Sequence, residues 1–382
     1  MHIELTEPQR ALRAELREYF AGLMTADERT TLLTQRHGGV YRDVVRRMGR
    51  DGWLGVGWPT RYGGRGFGPV EQQIFVNEAA RADVPLPAVT LQTVGPTLQE
   101  YGTLEQQEFF LPRILAGEVH FAIGYTEPEA GTDLASLRTR AIRVGDEYAV
   151  NGQKAFTTGA QDADYVWLAC RTAPDAPRHR GISILIVDTR DPGYSWTPVI
   201  TCDGAHHVNA TYYSDVRVPV GMRVGAENDG WRLVTTQLNH ERVMLGPAGR
   251  LGALYDRVRA WVSTQDGLSG RPDVRRVLAE TYASMRVNEL LNWQVAVAET
   301  VEVADASATK VFASERLQRL GQALEELVGR YGDPADGPTG DLLTWLDIQA
   351  KRNLVLTFGG GVNEIQRELI ATAGLGLPRV PR

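Results

Sequence analysis

Apolar residues recur at three- and four-residue spacing over most of this chain, and switch to alternation between His120 and about Arg223. The first helical stretch carries Leu12, Leu16, Tyr19, Phe20 and Leu23. It is opened by Thr6-Glu7-Pro8-Gln9, a capping box with proline in the first turn. A second helix carries Tyr41, Val44, Val45 and Met48 and stops near Gly52. The glycine-rich run 52–68 does not place GxGxxG between a strand and a helix, so it reads as a connection and not as a dinucleotide fingerprint. Helices are predicted over Pro69–Ala82, Ala88–Tyr101 and Leu104–Ala116, the last behind another capping box, Thr103 to Gln106.

In the alternating region the strands are Phe121–Tyr125, Thr139–Val144, Glu147–Val150, Gln153–Thr158, Tyr165–Cys170 and Gly181–Asp188. Gly145-Asp146 and the turn dipeptide Asn151-Gly152 connect consecutive strands, which gives a β-meander with Phe156 and Thr158 on one face. Beyond Asp229 the period is helical again. The long segment 230–262 contains Pro247, which predicts a kink. Helices follow over Pro272–Val301, Ala304–Gly329, Asp341–Thr357 and Glu364–Ala371, with YGDPADGPTG as a linker. The pattern is α+β and multidomain: an N-terminal helical domain (1–117), a central β-domain of meander or barrel-like form (118–228) and a C-terminal helical bundle (229–382).

Composition narrows the class. The chain has 382 residues, 43% hydrophobic and 23% charged, as in an ordinary soluble globular protein of two or three units. A net charge of -6, with no basic run interleaved with aromatics, argues against a nucleic-acid partner. The opening MHIELTEPQR lacks the basic region and apolar core of a secretory signal, and no run of about 18 apolar residues exists. Cytoplasmic residence away from membranes is the expectation. Cys170 and Cys202 cannot build a disulfide framework or a CxxC zinc site, and are expected to be small buried hydrophobes. His206 and His207 are adjacent on a predicted strand, point to opposite faces and have no third ligand at a supportive spacing, so no metal is expected.

Two segments add chemistry. TEPEAGTD (126–133) and NGQKAFTTGA (151–160) together resemble the paired signature of the acyl-CoA dehydrogenase flavoproteins, which reads close to TEPGAGSD and then NGQKxWITN. The run WPTRYGGRG and the turn Asp215-Val216-Arg217-Val218-Pro219 resemble further family segments, so the likeness covers nearly the whole chain. It implies FAD as cofactor, with Tyr125, Thr126, Gly131, Thr132 and Thr157 lining the flavin and Thr132 also close to substrate. Phe156 would stack near the ring in place of the usual tryptophan, and Thr158 would donate toward N5. The implied reaction removes a proton from the α-carbon of a CoA thioester and passes the β-hydrogen to the flavin as hydride, with electron-transfer flavoprotein as acceptor. Without the motif, Phe156 would read as a core aromatic.

Many family members carry the catalytic glutamate near the C-terminus in a YEGTSEIQ-like motif. Aligned on Glu364-Ile365-Gln366 in FGGGVNEIQRELIA, that position is Gly360, which cannot take a proton. Other members, the long-chain and isovaleryl types among them, place the base on the first helix of the bundle directly before an arginine. The matching QLNHERVMLG makes Glu241 the base here, with Asn239 and Arg242 at positions that contact the pantetheine arm or shape its entrance. Spacing alone would make Glu241-Arg242 a solvated pair. Leu91 and Gln92 are pocket candidates on the substrate side.

The family's Arg-x-x-Phe-Gly and Gln-x-x-Gly-Gly motifs, which hold the ADP end of a neighbour's FAD, have no counterpart in WVSTQDGLSGRPDVRRVL or RYGDPADGPTGDLLTWLDIQ. Burying a pyrophosphate unpaired is costly, so the resemblance implies a homologous second subunit. It is nearest to the actinobacterial acyl-CoA dehydrogenases of steroid side-chain degradation, which are α2β2 heterotetramers, and within them to the catalytic subunit. Two other readings stay open: a non-catalytic partner subunit of such a heteromer, and a flavin oxidase or monooxygenase on the same fold.

Overall fold

A computed structural model describes residues 4–244 and 246–379, the side chains of 238–244 excepted. The chain begins with helices α1 (Glu7–Leu23), α2 (Ala26–Thr34), α3 (Gly39–Arg50), α4 (Pro69–Arg81), α5 (Gly95–Tyr101) and α6 (Leu104–Leu115). Strands follow: β1 (Phe121–Gly124), β2 (Arg140–Val144), β3 (Glu147–Thr158), β4 (Tyr165–Arg171), β5 (Ile182–Asp188), β6 (Tyr194–Ile200), β7 (His206–Pro219) and β8 (Arg223–Val224). The remainder is helical: α7 (Gly230–Met244), α8 (Gly249–Thr264), α9 (Pro272–Ala296), α10 (Val303–Tyr331), α11 (Gly337–Asn353) and α12 (Asn363–Leu369).

Local chemistry sets most helix starts. Both predicted capping boxes form: the Thr6 hydroxyl accepts from Gln9 N at 3.4 Å, and the Thr103 hydroxyl accepts from Gln106 N at 3.3 Å. Elsewhere the expected boundaries move. The stretch 88–101 is a π-helical turn, Val89–Val94, running into α5, whose second residue is Pro96. The segment with Pro247 breaks outright into α7 and α8. At the break, the Gly246 carbonyl accepts from the side-chain amides of Asn288 and Asn292 at 3.1 and 3.0 Å, so α9 fixes the joint. Helix α11 starts inside the expected linker because Asp336 caps it, its carboxylate accepting from Thr339 N at 3.3 Å.

The sheet corrects the meander and barrel expectations. Asn151-Gly152 is not a hairpin turn. β3 runs through it, since β7 pairs along its length from Glu147↔Pro219 to Thr158↔Val208, and absorbs the dipeptide as an irregularity between Val150 and Gly152. The described strands form an open sheet of order β6-β7-β3-β2-β4-β5-β8, with β1 parallel to β4. Edge strand β6 sets Pro198 opposite Asn209, and the other edge, β8, is only Arg223–Val224.

The chain divides into two compact units, Met1–Leu33 with Phe67–Pro85 and Arg242–Arg382, and Thr34–Gly66 with Leu86–Glu241. The first is built on Leu254, Val258 and Trp261 of α8, Leu317, Leu320 and Leu324 of α10, and Trp345 of α11. The second is built on the inner residues of the sheet, among them Tyr148, Val150, Val166, Leu168, Leu185, Val187 and Val216. Each such side chain contributes about 1.5–3 kcal/mol when buried. Cys170 belongs to this sheet core. Cys202, expected to be buried too, is exposed because it lies in the turn closed by Thr201 N donating to Ala205 O at 3.0 Å. No helix among the described residues is long and apolar enough to cross a membrane.

Candidate functional site

The two sequence motifs form one connected piece within the second unit. Ala155 N on β3 donates to Thr126 O at 2.8 Å. Beneath that bond the fully buried Lys154 ammonium donates to Glu127 Oε1 at 2.8 Å and to Tyr125 O at 3.1 Å. The same carboxylate accepts from Arg138 N at 2.7 Å and Thr139 N at 2.8 Å. Burial alone would push the Glu127 carboxyl up, but Lys154 and the backbone donors hold it below its ordinary value. Burial pushes the Lys154 ammonium down against the pull of Glu127. A charged pair with both carboxylate oxygens hydrogen-bonded is the arrangement that tolerates removal from water.

Past Lys154 the strand bulges. The β3–β7 register shifts between Lys154 and Thr157, and Phe156 takes a left-handed φ of 56°. The residue is 66% exposed. Thr157 turns inward, its hydroxyl 3.3 Å from that of Thr211, and its carbonyl accepts from Asn209 Nδ2 at 3.2 Å. Thr158 faces out again, so Phe156 and Thr158 share the exposed side as alternation predicts. A bulky residue at positive φ costs about 1–3 kcal/mol, and an exposed phenyl ring adds an apolar surface in water. The bulge places the residue in this conformation and turns its side chain outward. The exposed ring offers an apolar face on which a flat aromatic ligand could lie, and in that respect the residues fit a flavin.

Of the other predicted flavin contacts, Thr126 adjoins β3 with Gly131 and Thr132 in the loop that follows, while Thr157, as described, and Tyr125 turn their side chains inward. Thr126 is half-buried under β3, and Gly131 and Thr132 are exposed in the adjoining loop, where a Cβ built on Gly131 would lie 3.9 Å from the Thr126 methyl. The Tyr125 side chain instead turns inside, where its hydroxyl accepts from Trp167 Nε1 at 3.2 Å and donates to Gln237 Oε1 of α7. Gln237 is fully buried. Sequence reasoning missed both Gln237 and Asn209; only their burial as polar residues marks them. Leu91 is buried and Gln92 half-buried in the π-helical turn, which Thr90 ties to β1 by accepting from Phe121 N at 2.8 Å. The side chains of Asn239, Glu241 and Arg242, on α7, lie outside the described residues.

Gly360, in the first unit, sits at φ 65° beside Gly361 at 92°. The loop is pinned by Lys310 Nζ donating to Gly361 O at 2.7 Å and to Asn363 Oδ1 at 2.8 Å, and by Gln366 Nε2 donating to Gly360 O at 3.3 Å. A glutamate there would carry a Cβ in a left-handed conformation. His206 pairs with Asn209 at 2.7 Å and His207 with Asp203 at 3.0 Å. No group of three or more metal-ligating side chains occurs among the described residues.

Known proteins match along the same path. The acyl-CoA dehydrogenase N-terminal, middle and C-terminal domain families match residues 6–118, 122–216 and 228–375. The acyl-CoA dehydrogenase FadE29 of Mycobacterium tuberculosis is 69% identical over 100% of both chains. Among solved structures, the Tcur3481-Tcur3483 steroid ACAD superposes with a TM-score of 0.93 at 48% identity, covering 100% of this chain and 100% of that one. The ChsE4-ChsE5 complex from Mycobacterium tuberculosis does so with a TM-score of 0.91 at 49% identity and the same coverage. With its N-terminal helical, middle β and C-terminal helical segments each matched and a relative this near, the chain belongs to the acyl-CoA dehydrogenase family.

Proposed function

We propose that this chain is the catalytic subunit of an FAD-dependent acyl-CoA dehydrogenase acting on the CoA thioester of a shortened steroid side chain, with segments 1–117, 118–228 and 229–382 as its working parts. The observation that carries the cofactor assignment is Phe156, held out by a strained backbone beside Thr158. Bound flavin would supply the acceptor for the hydride leaving the β-carbon. Phe156 offers the apolar face, Thr158 a donor at its edge, and Thr126, Gly131 and Thr132 the surround, with Thr157 contributing backbone only because its hydroxyl is turned inward to Thr211. Tyr125 braces this floor from inside through Gln237.

Glu241 takes the α-proton. In support, position 241 lies on α7, the first helix after the β-domain, directly before an arginine, as in the family members that carry the base there. Gly360 leaves no carboxylate at the other family position, and the pinned loop around it leaves no relaxed place for one. Asn239 and Arg242 flank the pantetheine arm, and Leu91 and Gln92 lie on the acyl side. Electron-transfer flavoprotein would take the electrons onward in the cytoplasm.

A homologous second subunit, giving α2β2, would complete the FAD site at its ADP end. The missing ADP motifs support this, as do the heteromeric steroid relatives. So does the exposed apolar row Leu354, Val355 and Phe358, at 50%, 58% and 67% exposure.

The test is expression of the chain alone and together with a homologous dehydrogenase-like chain as partner. FAD absorbance and turnover of steroid and straight-chain CoA esters are then compared. Expected are FAD retention and steroid-ester turnover in the complex only. Strong FAD retention by the lone chain would exclude the shared site. In the complex, Glu241→Gln should keep FAD and lose about 10²- to 10⁴-fold in turnover; a rate near wild type removes Glu241 from the mechanism.

A further inference from the structure

The family motif NGQKxWITN ends on asparagine, and this chain has Gly159 at that position. Gly159 adopts φ +70°, and a Cβ built on it would lie 2.8 Å from His37 Cε1 and 3.2 Å from His37 Nδ1. The imidazole of a residue more than a hundred positions upstream thus fills the volume that any side chain at 159 would need. Both residues belong to the second unit.

His37 is itself held in place. Its ring packs edge-on to Tyr41 at 5.7 Å and to His207 at 6.3 Å. The next residue, Gly38, donates N–H to Asp162 Oδ2 at 2.9 Å, and Arg42 of α3 donates Nε–H to Asp162 Oδ1 at 2.8 Å. Asp162 N in turn donates to Gly159 O at 2.9 Å. On the opposite side, Gly159 N donates to His207 O at 3.0 Å and Asn209 holds the Thr157 carbonyl. The backbone from 157 to 162 is therefore gripped from both sides, and Thr158 is the exposed residue between the grips. Burial, with His207, His206 and His120 adding to it against Asp162, pushes the His37 pKa down to about 4. Near neutral pH the ring is uncharged and acts by its shape.

We infer that His37 is a positioning residue for the reaction: by packing on Gly159 it sets the direction in which Thr158 faces the flavin, and the His37–Gly159 pair replaces the side chain that the motif carries at this position. The inference rests on the flavin reading above.

The test is a double-mutant cycle in the co-assembled, FAD-loaded enzyme. It reads the flavin visible absorbance band, kcat and KM for wild type, Gly159→Asn, His37→Ala and the double variant. Gly159→Asn should collide with His37, and His37→Ala should leave the strand loose. Each is expected to shift the flavin band and lower kcat about 10- to 100-fold with KM little changed. The double variant, with the asparagine in the vacated space, should recover to within about threefold of wild type, as coupled neighbours do. His37→Gln, neutral and of similar reach, should restore the band lost in His37→Ala, which carries the test should Gly159→Asn fail to assemble. A double variant no better than the worse single one overturns the inference. So does a His37→Ala enzyme with lowered thermal stability but an unshifted band and wild-type kcat. Absence of flavin from the wild-type complex would instead sink the underlying cofactor reading.

Discussion

Phe156 is placed against two preferences at once, a left-handed backbone and an exposed phenyl ring. Replacing it with glycine relieves the strain and sacrifices little buried area. Phe156→Gly should therefore raise the stability of the flavin-free chain by about 1 kcal/mol, after the entropy that glycine forfeits, while weakening flavin retention. Thermal melts of the flavin-free chain and FAD content of the co-assembled complex give the two numbers, and a fall in flavin-free stability would contradict the strain argument. A second residue-scale effect concerns acid. Burial holds His37 and His120 down at about 4 from an ordinary 6.5. The other imidazoles assist at His37 and Arg42 assists at His120, with Asp162 opposing at both and Asp164 at His120. Their neutral forms are the folded ones. The stability this represents is fully present above about pH 6.5 and is lost as pH falls toward 4. The difference in melting temperature between wild type and His37→Gln should change across that window and stay flat above pH 7.

At the scale of elements, the Glu127–Lys154 pair makes the loop after β1 and the strand β3 a single body. Lys154→Met would leave a buried carboxylate facing backbone donors alone and should cost about 3–5 kcal/mol. Denaturant titration measures this, and adding Glu127→Gln should recover part of the loss. The elements that could be read in advance are those decided locally. Thr6 and Thr103 cap their helices with partners three residues away, and the alternation of Phe156 and Thr158 survives the bulge. What escaped reading depends on distant chain. Asn151-Gly152 has the composition of a hairpin turn, but β7, some sixty residues later, pairs straight across it. Pro247 announced a kink, and the clean break comes from Asn288 and Asn292 holding Gly246 O. Helix α2 buries only Leu32 and so shows no periodic face to detect. Tyr125 directly precedes the flavin motif, yet its hydroxyl is committed to Trp167 and Gln237, neither of which the motif contains.

For the molecule as a whole, the proposed second subunit was legible mainly through missing motifs, and the structure adds a surface to go with them. Leu354, Val355 and Phe358 expose apolar side chains at the end of α11 and just beyond it. Val355→Asp combined with Phe358→Asp should abolish co-purification of the two subunits while leaving the circular dichroism of the chain unchanged. Retained co-purification would move the contact elsewhere. A chain of this kind must also pass some time as a lone subunit after synthesis, and the open sheet is the hazard of that interval, because free strand edges recruit further strands. Here one edge is a strand of two residues, β8. The other, β6, is interrupted by Pro198, which has no N–H to donate to an incoming strand. The sheet ends so poorly suited to extension would keep unpaired subunits from stacking into aggregates while they wait to assemble.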